Sequence, residues 1–165
     1  MSKLQNKWLT RFFLALVVIS GTVEAKELSS RLGVGFRNAY SFELPAIAAN
    51  YYPNPDTGFI GALGLDTAEN NAKFALSGGV RRVIFKEDNM NFFMSGILSF
   101  VSSETNGSTS SGFEISALVG DEFFLPGLEN LGFNIEAGVG VANLSKVRFR
   151  TIADHMLRAG VFFYF

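Results

Sequence analysis

"HMLRAGVFFYF", residues 155–165, brings this chain to an aromatic end and carries the argument about its fold. Side chains on an extended strand alternate between two sides, so Leu157, Ala159, Val161, Phe163 and Phe165 share one face and Arg158, Gly160, Phe162 and Tyr164 the other. The first face is uniformly apolar and the second mixed. A strand without a polar tail to blunt its edge is expected where another strand covers that edge, which makes this segment the seam of a closed sheet.

The opposite end has a basic start (Lys3, Lys7, Arg11), an apolar centre from Phe12 to Ile19, and small residues at Val23 and Ala25. That is the build of a secretory signal peptide cleaved near Ala25. The apolar centre is far shorter than the ~20 residues of a spanning helix, which argues against a membrane anchor. The expected organisation is a signal peptide over 1–25 and one domain over 26–165. Without the leader, eleven basic and fourteen acidic residues remain, a net charge near −3, so there is no basic field for nucleic acid. The absence of cysteine excludes a disulfide framework, a thiolate metal site and a cysteine nucleophile. Hydropathy is nevertheless high, with eighteen phenylalanines in the chain.

Period-two alternation repeats along residues 26–165. It is read in "RLGVGFR", "AIAANYY", "GFIGALGLD", "KFALSGGVRRVIF", "NFFMSGILSF", "GFEISALVGDEFF", "LGFNIEAGVGV" and the terminal strand, eight segments in all. Only the stretch Arg81–Phe85 breaks the pattern. Short turn sequences ("PNPDT", "KEDN", "LPGLEN") alternate with mostly longer polar ones ("NAYSFELP", "TAENNA", "ETNGSTSS", "NLSKVRFRTIAD"). Strands apolar on one face, with short turns at one end and longer loops at the other, predict an all-β fold: an eight-stranded antiparallel transmembrane β-barrel. A soluble lipocalin-like barrel would need the phenylalanine, leucine, isoleucine and valine faces turned inward. Aromatic residues near strand ends, such as Phe59, Phe92, Phe100, Phe113, Phe133 and Phe163, fit girdles at a membrane interface better.

The segments "FNIEAGVGVANLS" (133–145) and "ALVGDEFFLPGLENLG" (117–132), with Val161, Phe163 and the terminal Phe165, give the chain a resemblance to the small eight-stranded outer-membrane barrels of the OmpA/OmpX-like and OmpW-like class. The resemblance implies residence in a bacterial outer membrane, contact with its lipid, and a terminal aromatic strand (Val161, Phe163, Phe165) read by the barrel-assembly machinery. "IEAGVGVANLS" is also similar to a stretch of the lipid A 3-O-deacylases, but their His-x-Ser-Asn motif is absent, since Met156, Leu157 and Arg158 follow His155.

Catalytic chemistry finds little support otherwise. His155 is the single histidine, and neighbouring Asp154 would point to the opposite side of an extended segment, poor geometry for orienting an imidazole. "GVGFRN" and "GVGVAN" lack the third glycine of a dinucleotide fingerprint and any following helix. No cofactor or metal is implied. Glycines on the lumen side instead make room for larger neighbours such as Arg37 and Tyr164. Alternation also turns Arg37, Glu114, Glu136 and Arg158 inward, as a polar network in which Glu136 neighbours Arg158, Arg37 lies on the far side and Glu114 stands a little higher. A lumen of eight strands is just wide enough for side chains to fill. The leading functional expectation is therefore a monomeric, non-catalytic outer-membrane protein of structural or interaction type, its external loops open to a partner. A narrow channel or carrier for small apolar molecules is the alternative, and a lipid A-modifying enzyme the third reading.

Overall fold

The computed structural model describes residues 26–38, 44–144, 146–152 and 158–165; His155, Asp154 and Leu157 lie outside them, as does the expected leader. Among the described residues nine strands are formed: β1 (Arg31–Asn38), β2 (Pro45–Asn54), β3 (Thr57–Asp66), β4 (Lys73–Glu87), β5 (Met90–Thr105), β6 (Ser108–Phe124), β7 (Leu131–Asn143), β8 (Val147–Ile152) and β9 (Arg158–Tyr164). All pairings are antiparallel, from β1 with β2 through β6 with β7, and β9 returns to β1. The second edge of β7 is shared: Leu131–Glu136 pair with β9 and Gly138–Asn143 with β8. Two collinear segments thus build one stave, and the barrel closes with eight.

The terminal strand is the seam, with Val34 opposite Phe163 and Phe36 opposite Val161. One register row measures the stagger of closure. From Val34 it runs through Ala49, Gly61, Gly78, Leu98 and Ile115 to Val141. Followed the other way, through Phe163, it reaches β7 at Leu131, ten residues from Val141. For eight strands this shear sets a tilt of roughly 40° and a narrow lumen.

Alternation assigns the faces as the sequence pattern predicts. Leu32, Val34, Phe36, Ile47, Leu63, Leu76, Val80, Leu98, Ile115 and Val119 are exposed on the outside, whereas Tyr52, Phe93, Leu118, Phe162 and Tyr164 fill the inside. Small inward residues make room for the large ones. A Cβ on Gly33 would lie 2.5 Å from the Tyr164 ring, and one on Gly120 would lie 2.8 Å from both the Phe93 ring and the Glu136 side chain.

Three local expectations are corrected. The broken pattern at Arg81–Phe85 is a β-bulge: Val83 and Phe85 pair with the adjacent Phe93 and Phe92, the extra residue Ile84 stays outside, and β4 runs on to Glu87. "ETNGSTSS" is not a long loop, because Asn106 and Gly107, at φ 51° and 77°, make the two-residue turn that lets β5 and β6 pair as far as Thr105 and Ser108. "NLSKVRFRTIAD", read as a loop, contains β8, whose alternating Val147, Phe149 and Thr151 suit the unpaired upper edge of β7.

Below the barrel, at the short-turn end, residues 26–30 fold under the mouth. Leu28 is buried in a cluster with Tyr52, Phe124 and Tyr164, while the Lys26 carbonyl accepts a hydrogen bond from Asn91 Nδ2 at 3.4 Å.

Because Gly120 faces the packed lumen and a Cβ on outward Gly96 would meet nothing within 4 Å, Gly120→Leu should destabilise the barrel by ~1–3 kcal/mol. Gly96→Leu should leave it unchanged. Urea titrations followed by circular dichroism check both, and equal midpoints for the two variants would contradict this assignment of faces.

Candidate functional site: the charged lumen

Six charged side chains are buried inside the barrel among the described residues: Arg37, Arg81 and Arg158 against Glu114, Glu122 and Glu136. Three positive and three negative groups balance. Strand alternation brings each inward, Arg37 in phase with Gly33 and Gly35 on β1, Arg81 in phase with Ala75 and Ser77 on β4, and Glu114 and Glu122 in phase with Ser116 and Leu118 on β6.

Arg81 is the hub. Its Nη2 donates to Glu136 Oε1 at 2.8 Å and its Nη1 to Glu122 Oε2 at 3.3 Å and Tyr52 Oη at 3.0 Å. Its guanidinium carbon sits 3.6 Å from the centre of the Phe93 ring, a cation–π stack shielded from water. Glu136 takes a second cation through Oε2, 2.5 Å from Arg37 Nη2. Glu122 takes two phenols, Tyr164 at 2.6 Å and Tyr52 at 3.0 Å, and Asn50 Nδ2 donates to Tyr164 Oη at 3.3 Å. A continuous chain of charge-assisted bonds therefore runs from Arg37 through Glu136, Arg81 and Glu122 to the two tyrosines. Arg158 and Glu114 form a separate pair at 3.0 Å.

All four predicted network residues are inward and buried, but their pairing differs from the expectation. Glu136 and Arg158 are cross-strand partners in register; the ion pairs, however, are Glu136 with Arg37 and Arg81, and Arg158 with Glu114. The narrow lumen explains this: long side chains reach across the axis as easily as to the adjacent strand. Arg81, Glu122, Tyr52 and Asn50 were missed. Arg81 lies at the start of the broken stretch, yet the inward phase of Ala75, Ser77 and Gly79 extends to it, so the signal was present. The terminal residues Val161, Phe163 and Phe165 are exposed on the outside, Phe163 and Phe165 in edge-on ring contact at 5.2 Å, and the Phe165 N–H bonds the Leu32 carbonyl at 2.9 Å.

Chemically, the arrangement holds charges firmly and leaves no nucleophile beside a base among the named groups. It is suited to closing the lumen. No family model and no curated protein matches the chain. Among solved structures, it is similar to the N-terminal β-barrel domain of Pseudomonas aeruginosa OprF, at 15% identity and a TM-score of 0.56, over 86% of this chain and 100% of that one. This chain has the fold of that barrel domain. At such low identity the likeness speaks for architecture alone.

Removing one member of a buried, bonded ion pair typically costs ~3–5 kcal/mol, so Arg81→Met, which breaks pairs with both Glu122 and Glu136, should lower stability more than Arg158→Met, which breaks the pair with Glu114. Double-mutant cycles in urea should couple Glu136→Gln to Arg37→Met and to Arg81→Met more strongly than to Arg158→Met, the in-register neighbour with which it forms no direct ion pair. A Glu136–Arg158 coupling larger than the other two would restore the adjacent-strand pairing in place of the one described.

Proposed function

We propose that the protein is an integral outer-membrane β-barrel of structural or interaction type, non-catalytic, with a lumen closed by its own side chains. The observation that carries the reading is the interlocked Arg37–Glu136–Arg81–Glu122 chain spanning the interior, with Leu28 beneath it. The outer surface supports the membrane part. Along β6 the outward residues Phe113, Ile115, Ala117, Val119 and Phe123 are apolar, with Asp121 near the lower end, and the ten residue steps between Phe113 and Phe123 rise about 25 Å at ~3.3 Å per residue and a tilt near 40°. That matches the apolar height of outer-membrane barrels, ~25 Å. Aromatic contacts border the band at both ends, Phe74–Phe100–Phe113 above and stacked Phe123–Phe133 below. Export through a leader cleaved near Ala25, and recognition of Val161, Phe163 and Phe165 by the assembly machinery, belong to the same proposal.

The protein should fractionate with outer membranes, migrate as a heat-shifted band in detergent gels, and show no steady conductance in planar bilayers. Recovery as a detergent-free monomer from a periplasmic extract would overturn the membrane reading, and reproducible single-channel steps would favour a narrow channel instead. Phe165→Lys should reduce the membrane-inserted fraction in cells, scored by the heat-shifted band.

A further inference from the structure

Residues 26–30 precede β1 and form a strap across the short-turn mouth, tied to three different hairpins. The Lys26 ammonium lies 3.5 Å from Glu129 Oε2 in the β6–β7 connection and 5.8 Å from the centre of the Phe124 ring. The Lys26 carbonyl accepts from Asn91 Nδ2 on β5 at 3.4 Å, and the Ser30 N–H donates to the Tyr52 carbonyl on β2 at 2.6 Å. Between these ties Leu28 turns up into the barrel, 2% exposed, in one buried cluster with Tyr52, Val83, Phe124 and Tyr164. The strap lies outside the strand ladders, so eight staves stay paired without it.

The closed strap is strained at one point. The Leu28 carbonyl accepts the Arg31 N–H at 3.0 Å, closing a turn whose third residue, Ser30, has a φ of 60°. Glycine is the ordinary choice for a positive φ at that place in a turn, and a residue with a Cβ adopts it at a cost. Arg31 is fixed by contrast: its Nη2 donates to Asn130 Oδ1 at 2.6 Å and to the Tyr164 carbonyl at 2.9 Å. Rotation at Ser30 therefore swings residues 26–29 off the mouth and leaves the seam in place. Against that relief of strain stand one buried leucine, two hydrogen bonds to the barrel among the described residues, and an ion pair whose Glu129 side is open to solvent and adds little. A segment held by so few contacts opens locally, far below the cost of unfolding the barrel.

We propose that residues 26–30 are a hinged lid on the short-turn mouth, opening at Ser30 while the barrel stays folded. Closed, the lid seats Leu28 among the aromatic rings at the mouth. Open, it lets water and small solutes reach those rings and the Glu122 carboxylate that Tyr52 and Tyr164 bond. The Arg81–Glu136–Arg37 chain still bars the axis above. The lid thus governs access to one end of the lumen and not passage through it, and it holds wherever the barrel resides.

The chain contains no cysteine, so Val83→Cys, a change of little volume, places a single thiol in the cluster that Leu28 joins. The folded protein in mild detergent is treated with N-ethylmaleimide and its modification followed by mass spectrometry, the rate reporting the fraction of time the lid is open. Leu28→Asp, or the milder Leu28→Ala, should raise that rate, by about tenfold or more for Asp. Ser30→Gly should lower it about two- to fivefold, because the strain of the closed turn is gone while the freedom of glycine in the open lid offsets part of the gain. Ala75→Cys, fully buried higher in the lumen, should stay unmodified in every background, with an unchanged β circular-dichroism spectrum reporting that each variant is folded. A Val83→Cys rate indifferent to both Leu28 substitutions overturns the lid, and a rate that Ser30→Gly leaves unchanged or raises overturns the strained hinge. Modification of Ala75→Cys as fast as Val83→Cys means that the whole barrel opens, and overturns a lid that moves alone.

Discussion

In the outer-membrane reading proposed above, an open strand edge would face hydrocarbon and leave its N–H and C=O groups without partners, at several kcal/mol each, so the sheet has to return on itself. Here β7 meets that demand on both edges, against β6 on one side and against β9 and then β8 on the other. The returning register is displaced by ten residues, and strand number and stagger together decide tilt and radius. The resulting interior is narrow enough for Arg81 on β4 to touch Glu136 on β7, three staves away. Side-chain chemistry inside the barrel is thus a consequence of backbone closure outside it.

Burying charge in so confined a space is costly unless each group is paired and its remaining donors or acceptors are bonded. Arg81 meets most of the condition by dividing its guanidinium between Glu122, Glu136 and the Tyr52 oxygen, with the Phe93 ring against its face, while its buried Nε finds no hydrogen-bond partner. Glu122 in turn collects two phenols as well as the cation. An apolar filling could have closed the lumen at no electrostatic cost. The bonded chain adds directionality, since each member fixes the rotamer of the next, and the glycines opposite, Gly33 against Tyr164 and Gly120 against Phe93 and Glu136, keep space for those rotamers alone.

Most of this architecture was legible because a period of two survives wherever one face lines the lumen and the other the outside of the barrel. Leu32, Val34 and Phe36 against Gly33, Gly35 and Arg37 already state which side of β1 is outside. Legibility ended where local rules interrupted the period. The bulge at Val83–Phe85 breaks the alternation of β4 just after Arg81, which hid the hub of the network although the phase of the preceding residues led to it. The divided eighth stave made Val147–Ile152 look like a loop, and the turn at Asn106–Gly107 was buried in a run of serine and threonine that reads as polar linker. Pairing within the lumen was beyond the pattern for a different reason. Alternation reports which face a residue takes, but arginine and glutamate are long enough to choose among several partners across an eight-stranded barrel.

The short-turn end shows how closure of the lumen and closure of its mouth reinforce each other. Tyr52 and Tyr164 belong at once to the polar chain, through Glu122, and to the apolar cluster that receives Leu28 and Phe124. Moving Leu28 out would expose those rings to water, while breaking the Glu122 bonds would loosen the rings that hold Leu28. A conducting path therefore needs both layers to give way, and above them Arg158 and Glu114 form a further pair. Because the two layers share Tyr52 and Tyr164, they act as one coupled closure of the short-turn end and not as two separate ones.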